Sequence, residues 1–302
     1  MRVFVTGASG WIGSAVVPEL LAHGHEVRGL VRSDKAAERV AAMGAEIVRG
    51  DIQDLEALRA GAAWADAIVH LAFRHDIAWT GGFAEAAASD RRAIELFGEA
   101  LSGRTGALAI ASGLAGLRRG AIATEHDHPD EGASPRVASE RLALALARRG
   151  VRSMSVRFAP TVHGAGDHGF IARIVDADRR HGTAAYVGDG ANRWSAVHRD
   201  DAARLVRLGV ERAPAGSVLH AVAEKGVAMR DVAEAIGRRH ELELASISPE
   251  EADARFGFLG QFVGLDLAAS SAITRQLLGW EPTGPTLIED IEAGAYADGL
   301  RT

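Results

Sequence analysis

The chain opens Met1-Arg2-Val3-Phe4-Val5-Thr6-Gly7-Ala8-Ser9-Gly10-Trp11-Ile12-Gly13. Arg2 to Val5 read as a short buried strand. Gly7, Gly10 and Gly13 follow at three-residue spacing, and the apolar run from Ala15 to Leu21 reads as a helix. A strand that turns through glycines into a helix offers free backbone N–H groups and the positive end of a helix dipole to an anion. Glycine triplets alone also serve turns and helix packing. Here the strand precedes, the helix follows, and further strand–helix alternation comes after, so the corner is read as a pyrophosphate cradle for a dinucleotide. Its predicted contacts are Gly7, Ser9, Gly10, Trp11, Ile12 and Gly13.

The alternation continues outward from that corner. Glu26–Val31, Ala45–Val48, Ala67–Leu71, Ala107–Ala111 and Arg152–Phe158 are expected strands, with helices over residues 35–42, 83–101 and 136–148. Apolar strands separated by amphipathic helices predict an α/β fold with a doubly wound parallel sheet. Past Ala159 the pattern loosens. Helices are expected near 171–181, 200–212, 229–239, 249–256, 271–278 and 287–298, with short strands around Tyr186 and Ser195. Val218–Val222 is strand-like and predicted to rejoin the main sheet. The expected division is a nucleotide domain over 1–160, rejoined by about 196–222, interwoven with a smaller substrate region over 161–195 and 223–302.

The 302 residues hold 47% hydrophobic side chains, enough for a large core, and a net charge of -6 that gives nucleic acid or an anionic membrane no purchase. There is no cysteine, which excludes disulfides, thiolate metal sites and cysteine nucleophiles. No apolar run reaches membrane-spanning length, so a soluble cytoplasmic protein is expected. His126, Asp127, His128, Asp130 and Glu131 lie in a polar loop with Pro and Gly; that composition reads as a solvated surface rather than a metal site.

The end of the second strand bears on coenzyme choice. An NAD site places a carboxylate there for the ribose 2′-hydroxyl, whereas a 2′-phosphate calls for Arg or a hydroxyl. The chain has Val31-Arg32-Ser33 before the first carboxylate, Asp34. Arg32 and Ser33 are therefore read as 2′-phosphate ligands, with NADP(H) favoured over NAD(H). Asp51, in Gly50-Asp51-Ile52, can accept from an adenine amino group or simply close its own loop. The fourth strand ends in Ala72-Phe73-Arg74-His75-Asp76, a polar cluster placed where doubly wound sheets bind ligands.

Taken together, these stretches resemble the extended or atypical short-chain dehydrogenase/reductases of the NAD(P)-dependent epimerase/dehydratase-like branch, with their Rossmann-type fold. Thr6–Gly13 resembles the branch's nucleotide signature, and Gly50-Asp51-Ile52 its adenine-contacting turn, which adds Ile52 to the expected contacts. His70-Leu71-Ala72 resembles the stretch beside the nicotinamide ribose, implying contacts from Leu71, Ala72 and the adjoining Phe73. Arg157–Gly164 resembles the segment passing the nicotinamide, implying Pro160 and Val162. Val197–Ala203 and Leu278-Gly279-Trp280-Glu281-Pro282 resemble two recurring C-terminal motifs. Members pair through helices matching 83–101 and 136–148, so the resemblance admits a homodimer; a core helix would have the same composition.

The departure lies on the helix after the fifth strand. The family uses Tyr-x-x-x-Lys there, and this chain has Arg136 and Glu140 in those places. Its two tyrosines, Tyr186 and Tyr296, are far away in sequence. Ser112 is expected to bind a carbonyl oxygen, although Gly113 is the alternative match. Arg136 cannot give up a proton at neutral pH but can stabilise a developing oxyanion. Glu140 could position ribose hydroxyls or simply pair with Arg136 one turn away. His163 and His75 are the expected proton donors, with Asp167 and His168 behind them. The leading expectation is NADPH-dependent reduction of a small aldehyde or ketone. Two others stand beside it: a non-catalytic NADP-binding redox sensor, and a nucleotide-sugar epimerase or dehydratase using Arg193 for the diphosphate.

Overall fold

The computed structural model describes residues 1–117, 120–130, 132 and 134–296, and only the backbone of Trp79. Glu131 lies outside the described residues. The first half alternates strictly. Its strands are β1 (Arg2–Thr6), β2 (Glu26–Val31), β3 (Glu46–Arg49), β4 (Ala67–His70), β5 (Ala107–Gly113) and β6 (Arg152–Phe158). Between them lie α1 (Gly13–Ala22), α2 (Asp34–Ala42), α3 (Leu55–Trp64), a single turn α4 (His75–Ile77), α5 (Phe83–Leu101) and α6 (Pro135–Ala145). Side-chain caps set several starts: Ala36 N–H donates to the Ser33 hydroxyl and Ala57 N–H to the Asp54 carboxylate.

The second half adds β7 (Thr161–His163), α7 (Phe170–His181), β8 (Thr183–Val187), β9 (Arg193–His198), α8 (Arg199–Arg212) and β10 (Ser217–Ala221). It closes with β11 (Glu224–Ala228), α9 (Met229–His240), β12 (Glu243–Ile247), α10 (Pro249–Phe256), a short α11 (Gly260–Val263), α12 (Ala272–Leu278) and α13 (Leu287–Glu292).

Seven strands form one parallel sheet in the order β10-β6-β5-β4-β1-β2-β3. Alternation along each strand feeds two cores. Val3, Val5 and Val69 enter one with residues of α1 and α8; Phe4 and Ile68 enter the other with residues of α3 and α5. The order reverses at β1, so β4 and β2 leave from opposite sides of the first strand and open a crevice at their carboxyl ends. β10 returns to the edge beside β6, whereas β9 belongs to a separate three-stranded sheet, β11-β9-β7, and β12 pairs with β8. These smaller sheets share a third core with α7, α9 and α13, centred on Trp194.

The two C-terminal motifs hold each other. Trp280 Nε1 donates to the Asp201 carbonyl at 3.0 Å, and the Asp201 carboxylate accepts from the Thr283 and Gly284 amides at 3.0 and 2.8 Å. Their job is to fasten the chain's end to the start of α8. The expected helix 287–298 stops at Glu292; Gly294 takes φ +88, which ends the helical path. The last residues of that expectation, 297 and 298, lie outside the described residues. Among the described residues no helix is long and apolar enough to cross a membrane.

Candidate active site

A cleft of about 480 Å³ crosses the carboxyl ends of the parallel strands. Strand order sets the sequence of groups along it: Arg32 from β2, the glycine corner after β1, Leu71–His75 after β4, Ser112 on β5, and Phe158–Val162 after β6. The corner is tight. Gly7 adopts φ +69, and a Cβ there would lie 2.8 Å from the Ala72 nitrogen. A Cβ on Gly13 would lie 2.1 Å from the Gly7 carbonyl oxygen. No side chain caps α1 and no acid stands in its first turn, so its amino end remains available to an anion. These features fit a dinucleotide's pyrophosphate.

Trp11 ties this corner to the second half. Its Nε1 donates to the Val162 carbonyl at 2.7 Å, and the Arg199 guanidinium lies over its ring at 4.3 Å. Beneath the cleft, Ala72 N–H donates to the Thr6 hydroxyl, which bonds His70 Nδ1 at 2.7 Å, while His70 Nε2 bonds Asp90 at 3.1 Å. In a neutral His70 the proton therefore sits on Nε2. Burial acts to raise the Asp90 carboxyl, but the His70 hydrogen bond and nearby positive charge bring it below its ordinary value. This buried chain locks the ends of β1 and β4 together under the glycine corner.

On the β2–β3 side, Arg32 lies in the wall with its Nη1 3.2 Å from Asp76. Asp34 turns away to Arg49 at 2.7 Å. Asp51 and Ile52 also line the cleft, and Asp51 Oδ1 accepts from the Gln53 amide at 2.7 Å, leaving Oδ2 for another donor. Ser33 is not among the lining residues; its hydroxyl accepts from the Ala36 amide as the cap of α2.

On the β5–β6 side, Ser112 and Arg136 line the cleft with Phe73 and His75, and Pro160 and Val162 close it. Arg136 Nη2 donates to the Ala111 carbonyl at 2.7 Å, and its guanidinium stacks on Phe73 at 4.4 Å. The guanidinium is thereby anchored on the carbonyl of the residue before Ser112, in the same cleft wall. Two expected participants are elsewhere. Glu140 does not pair with Arg136 or reach the cleft. It is buried with Ser155 (2.6 Å) and Arg157 Nε (2.8 Å), because β6 offers it a closer cation. His163 is fully buried and its Nδ1 bonds Asp290 on α13 at 2.6 Å, since strand alternation sends it away from the face of Val162.

The positions 3–96 match the family model described as NAD dependent epimerase/dehydratase family. A ketoreductase of Stigmatella aurantiaca, acting on 4-hydroxy-2-methyl-3-oxo-4-farnesyl-3,4-dihydroquinoline-1-oxide, is 30% identical over 72% of this chain and 67% of its own. The chain belongs to the NAD-dependent epimerase/dehydratase family. An uncharacterized protein of Schizosaccharomyces pombe is 43% identical over 98% of this chain and all of its own. Among solved structures, MoeE5 in complex with UDP-glucose and NAD superimposes with a TM-score of 0.77 at 26% identity, covering 98% of this chain and 97% of that one. Membership makes the protein an NAD(P)-dependent enzyme of the short-chain dehydrogenase/reductase superfamily, with a nicotinamide dinucleotide as its cofactor.

Against that family, the cleft differs in its reactive groups. His75 lines the cleft, yet the protein around it and the charge of Arg136 push its imidazole down to about 4. It is therefore neutral at pH 7. An NMR titration should find the His75 midpoint near 4 in the native protein and higher in Arg136→Gln; an ordinary midpoint near 6.5 would contradict this. Because the folded-state value lies below the unfolded one, this group favours folding fully above about pH 6.5 and progressively less as the pH falls toward 4. Asp167 and His168 also line the cleft, and Tyr296 donates to Asp167 Oδ2 at 3.1 Å. Burial raises the Asp167 carboxyl despite bonds from the Gly169 amide and Tyr296. Phe170 and Arg173 of α7 complete that wall. The sequence gives no sign of their facing: both sit in an amphipathic run that reads equally well as a core helix.

Proposed function

We propose that this protein reduces a small aldehyde or ketone, with NADPH preferred to NADH. The observation that supports the reading is that Ser112 and Arg136, anchored on the neighbouring Ala111 carbonyl, line the same cleft as the glycine corner. Bound there, the dinucleotide supplies the hydride. The Ser112 hydroxyl donates a hydrogen bond to the carbonyl oxygen. The Arg136 cation stabilises negative charge developing on that oxygen. With His75 neutral and His163 sealed off, the proton comes from water in the cleft, passed through the Ser112 hydroxyl. The ketoreductase relative supports a carbonyl substrate.

Arg32 is the reason for preferring NADPH. It lines the cleft after β2, and the first carboxylate that follows it, Asp34, is turned to Arg49. Arg32→Ala is expected to weaken NADPH binding by about 10- to 100-fold and NADH binding by no more than about 2-fold, measured by fluorescence titration. Equal losses for both would remove the preference. The reaction itself is tested by following NADPH oxidation with a panel of aldehydes and ketones, where Ser112→Ala should lower kcat by about 100-fold.

The exchange of the family's Tyr and Lys for Arg136 and Glu140 also supports a redox sensor. Tight coenzyme binding with no turnover of any carbonyl compound would favour it. The nucleotide-sugar reading loses its diphosphate ligand, because Arg193 is clamped by Asp266 at 3.1 and 2.8 Å and lies outside the cleft wall.

A further inference from the structure

We propose that the substrate carries a carboxylate beside its carbonyl group, as a 2-oxo or 3-oxo acid does, and that Arg136 holds that carboxylate. This rests on the reductase reading and names its substrate class; for such a substrate Arg136 takes the carboxylate in place of the carbonyl oxygen, which Ser112 then meets.

The argument is one of charge and of committed partners. Arg136 stands in the cleft wall with one N–H group given to the Ala111 carbonyl and one face of its guanidinium over the Phe73 ring. Among the described residues, no carboxylate lies within ion-pair distance of it. Its two electrostatic neighbours, Asp90 and Glu140, are each bonded elsewhere: Asp90 to His70, Glu140 to Ser155 and Arg157. Burial accordingly lowers the guanidinium's pKa, which means the site pays to keep it charged. His75 beside it is neutral and can supply no negative charge in either protonation state. By contrast, Arg32 and Arg74 on the same cleft are both answered by Asp76. A buried cation whose acidic neighbours are taken is completed by an anionic ligand.

The shape of the site selects the anion. The Ala111 carbonyl and the Phe73 ring hold the guanidinium plane fixed, so it presents a planar edge of N–H donors. A carboxylate matches such an edge with two parallel hydrogen bonds. Ser112 adjoins the Ala111 anchor in the chain, which sets the carboxylate next to the carbonyl that Ser112 would bind.

The test compares each acid with its own ester: acetoacetate with methyl acetoacetate, and pyruvate with methyl pyruvate. The native enzyme is expected to favour an acid over its ester by about 100-fold in kcat/KM, and Arg136→Gln to bring that ratio near one. Equal handling by the native enzyme, or a ratio that survives the substitution, overturns the proposal. A second readout does not depend on turnover. Oxamate and malonate, titrated calorimetrically into the protein saturated with NADP⁺, should bind the native form and not Arg136→Gln, with partial recovery in Arg136→Lys; binding unchanged in Arg136→Gln also overturns it. Carboxylates bound through Arg136 with no carbonyl compound reduced would uphold the anion site and sink the reductase reading. Efficient reduction of neutral aldehydes with no carboxylate bound would do the reverse.

Discussion

Gly13→Ala is expected to abolish coenzyme binding, with affinity falling by at least about 100-fold, and to destabilise the fold by about 1–3 kcal/mol or more. The added Cβ would sit 2.1 Å from the Gly7 carbonyl oxygen and 2.9 Å from the Ala8 Cα. Both obstacles are backbone, so no side-chain rotation relieves the clash. The start of α1 would have to withdraw from the end of β1, and that gap is where the pyrophosphate meets the helix. NADPH titration and thermal unfolding of the variant measure the two effects. Gly24→Ala is the control: its φ is +76 but nothing lies within 4 Å, so it should cost only about 1 kcal/mol and leave coenzyme affinity unchanged. A Gly13→Ala protein binding NADPH like the native form would mean that the corner is not the phosphate site.

The second large effect concerns the helix that carries Arg136. Installing the family pair through Arg136→Tyr and Glu140→Lys is expected to unfold or cripple the protein rather than convert it. Glu140 is 3% exposed and Arg157 is 1% exposed, so an amine at position 140 would face a buried guanidinium stripped of its partner. Breaking such a pair costs about 3–5 kcal/mol, or roughly 10 °C in Tm for a domain of this size. Arg136→Tyr alone should fold normally, because Arg136 makes no ion pair among the described residues. Thermal melts of the two single variants separate these outcomes. A fully stable Glu140→Lys protein would show that the buried pair is dispensable. The physical point is that β6 has co-adapted: Arg157 is the partner that lets a carboxylate occupy position 140.

The strands of the first half were legible because each is a short apolar run bounded by glycines or charges. β2 and β6 fall on the expected residues, 26–31 and 152–158. β7, β11 and β12 were not anticipated. They are three to five residues long and take their identity from their neighbours: β12, for instance, is half exposed and pairs only with β8. The site divides in the same way. The glycine corner, Arg32 and Asp51 lie on the cleft, a placement that local spacing and strand ends could signal. Ser112 could be placed, although its neighbour Gly113 matched the motif equally well. His163 and Glu140 could not be judged, since the partners that withdraw them lie far along the chain: Asp290 is 127 residues from His163, and Arg157 is on another strand. Ser33 has a role that the local sequence did not single out, the cap of α2. The pairing of Tyr296 with Asp167, across 129 residues, was equally invisible.

The position of β10 at the margin of the seven-stranded sheet has a consequence for how the polypeptide is made. β6 ends at Phe158 and its outer neighbour begins at Ser217. While a ribosome adds the roughly sixty residues between them, at about 5–20 residues per second, the nascent nucleotide half waits roughly 3 to 12 s with unpaired amides and carbonyls along β6. Such an edge is a template for pairing with another nascent chain. Biogenesis therefore has a window of vulnerability that the finished molecule no longer shows, and it closes only when the later segment arrives to cover the margin.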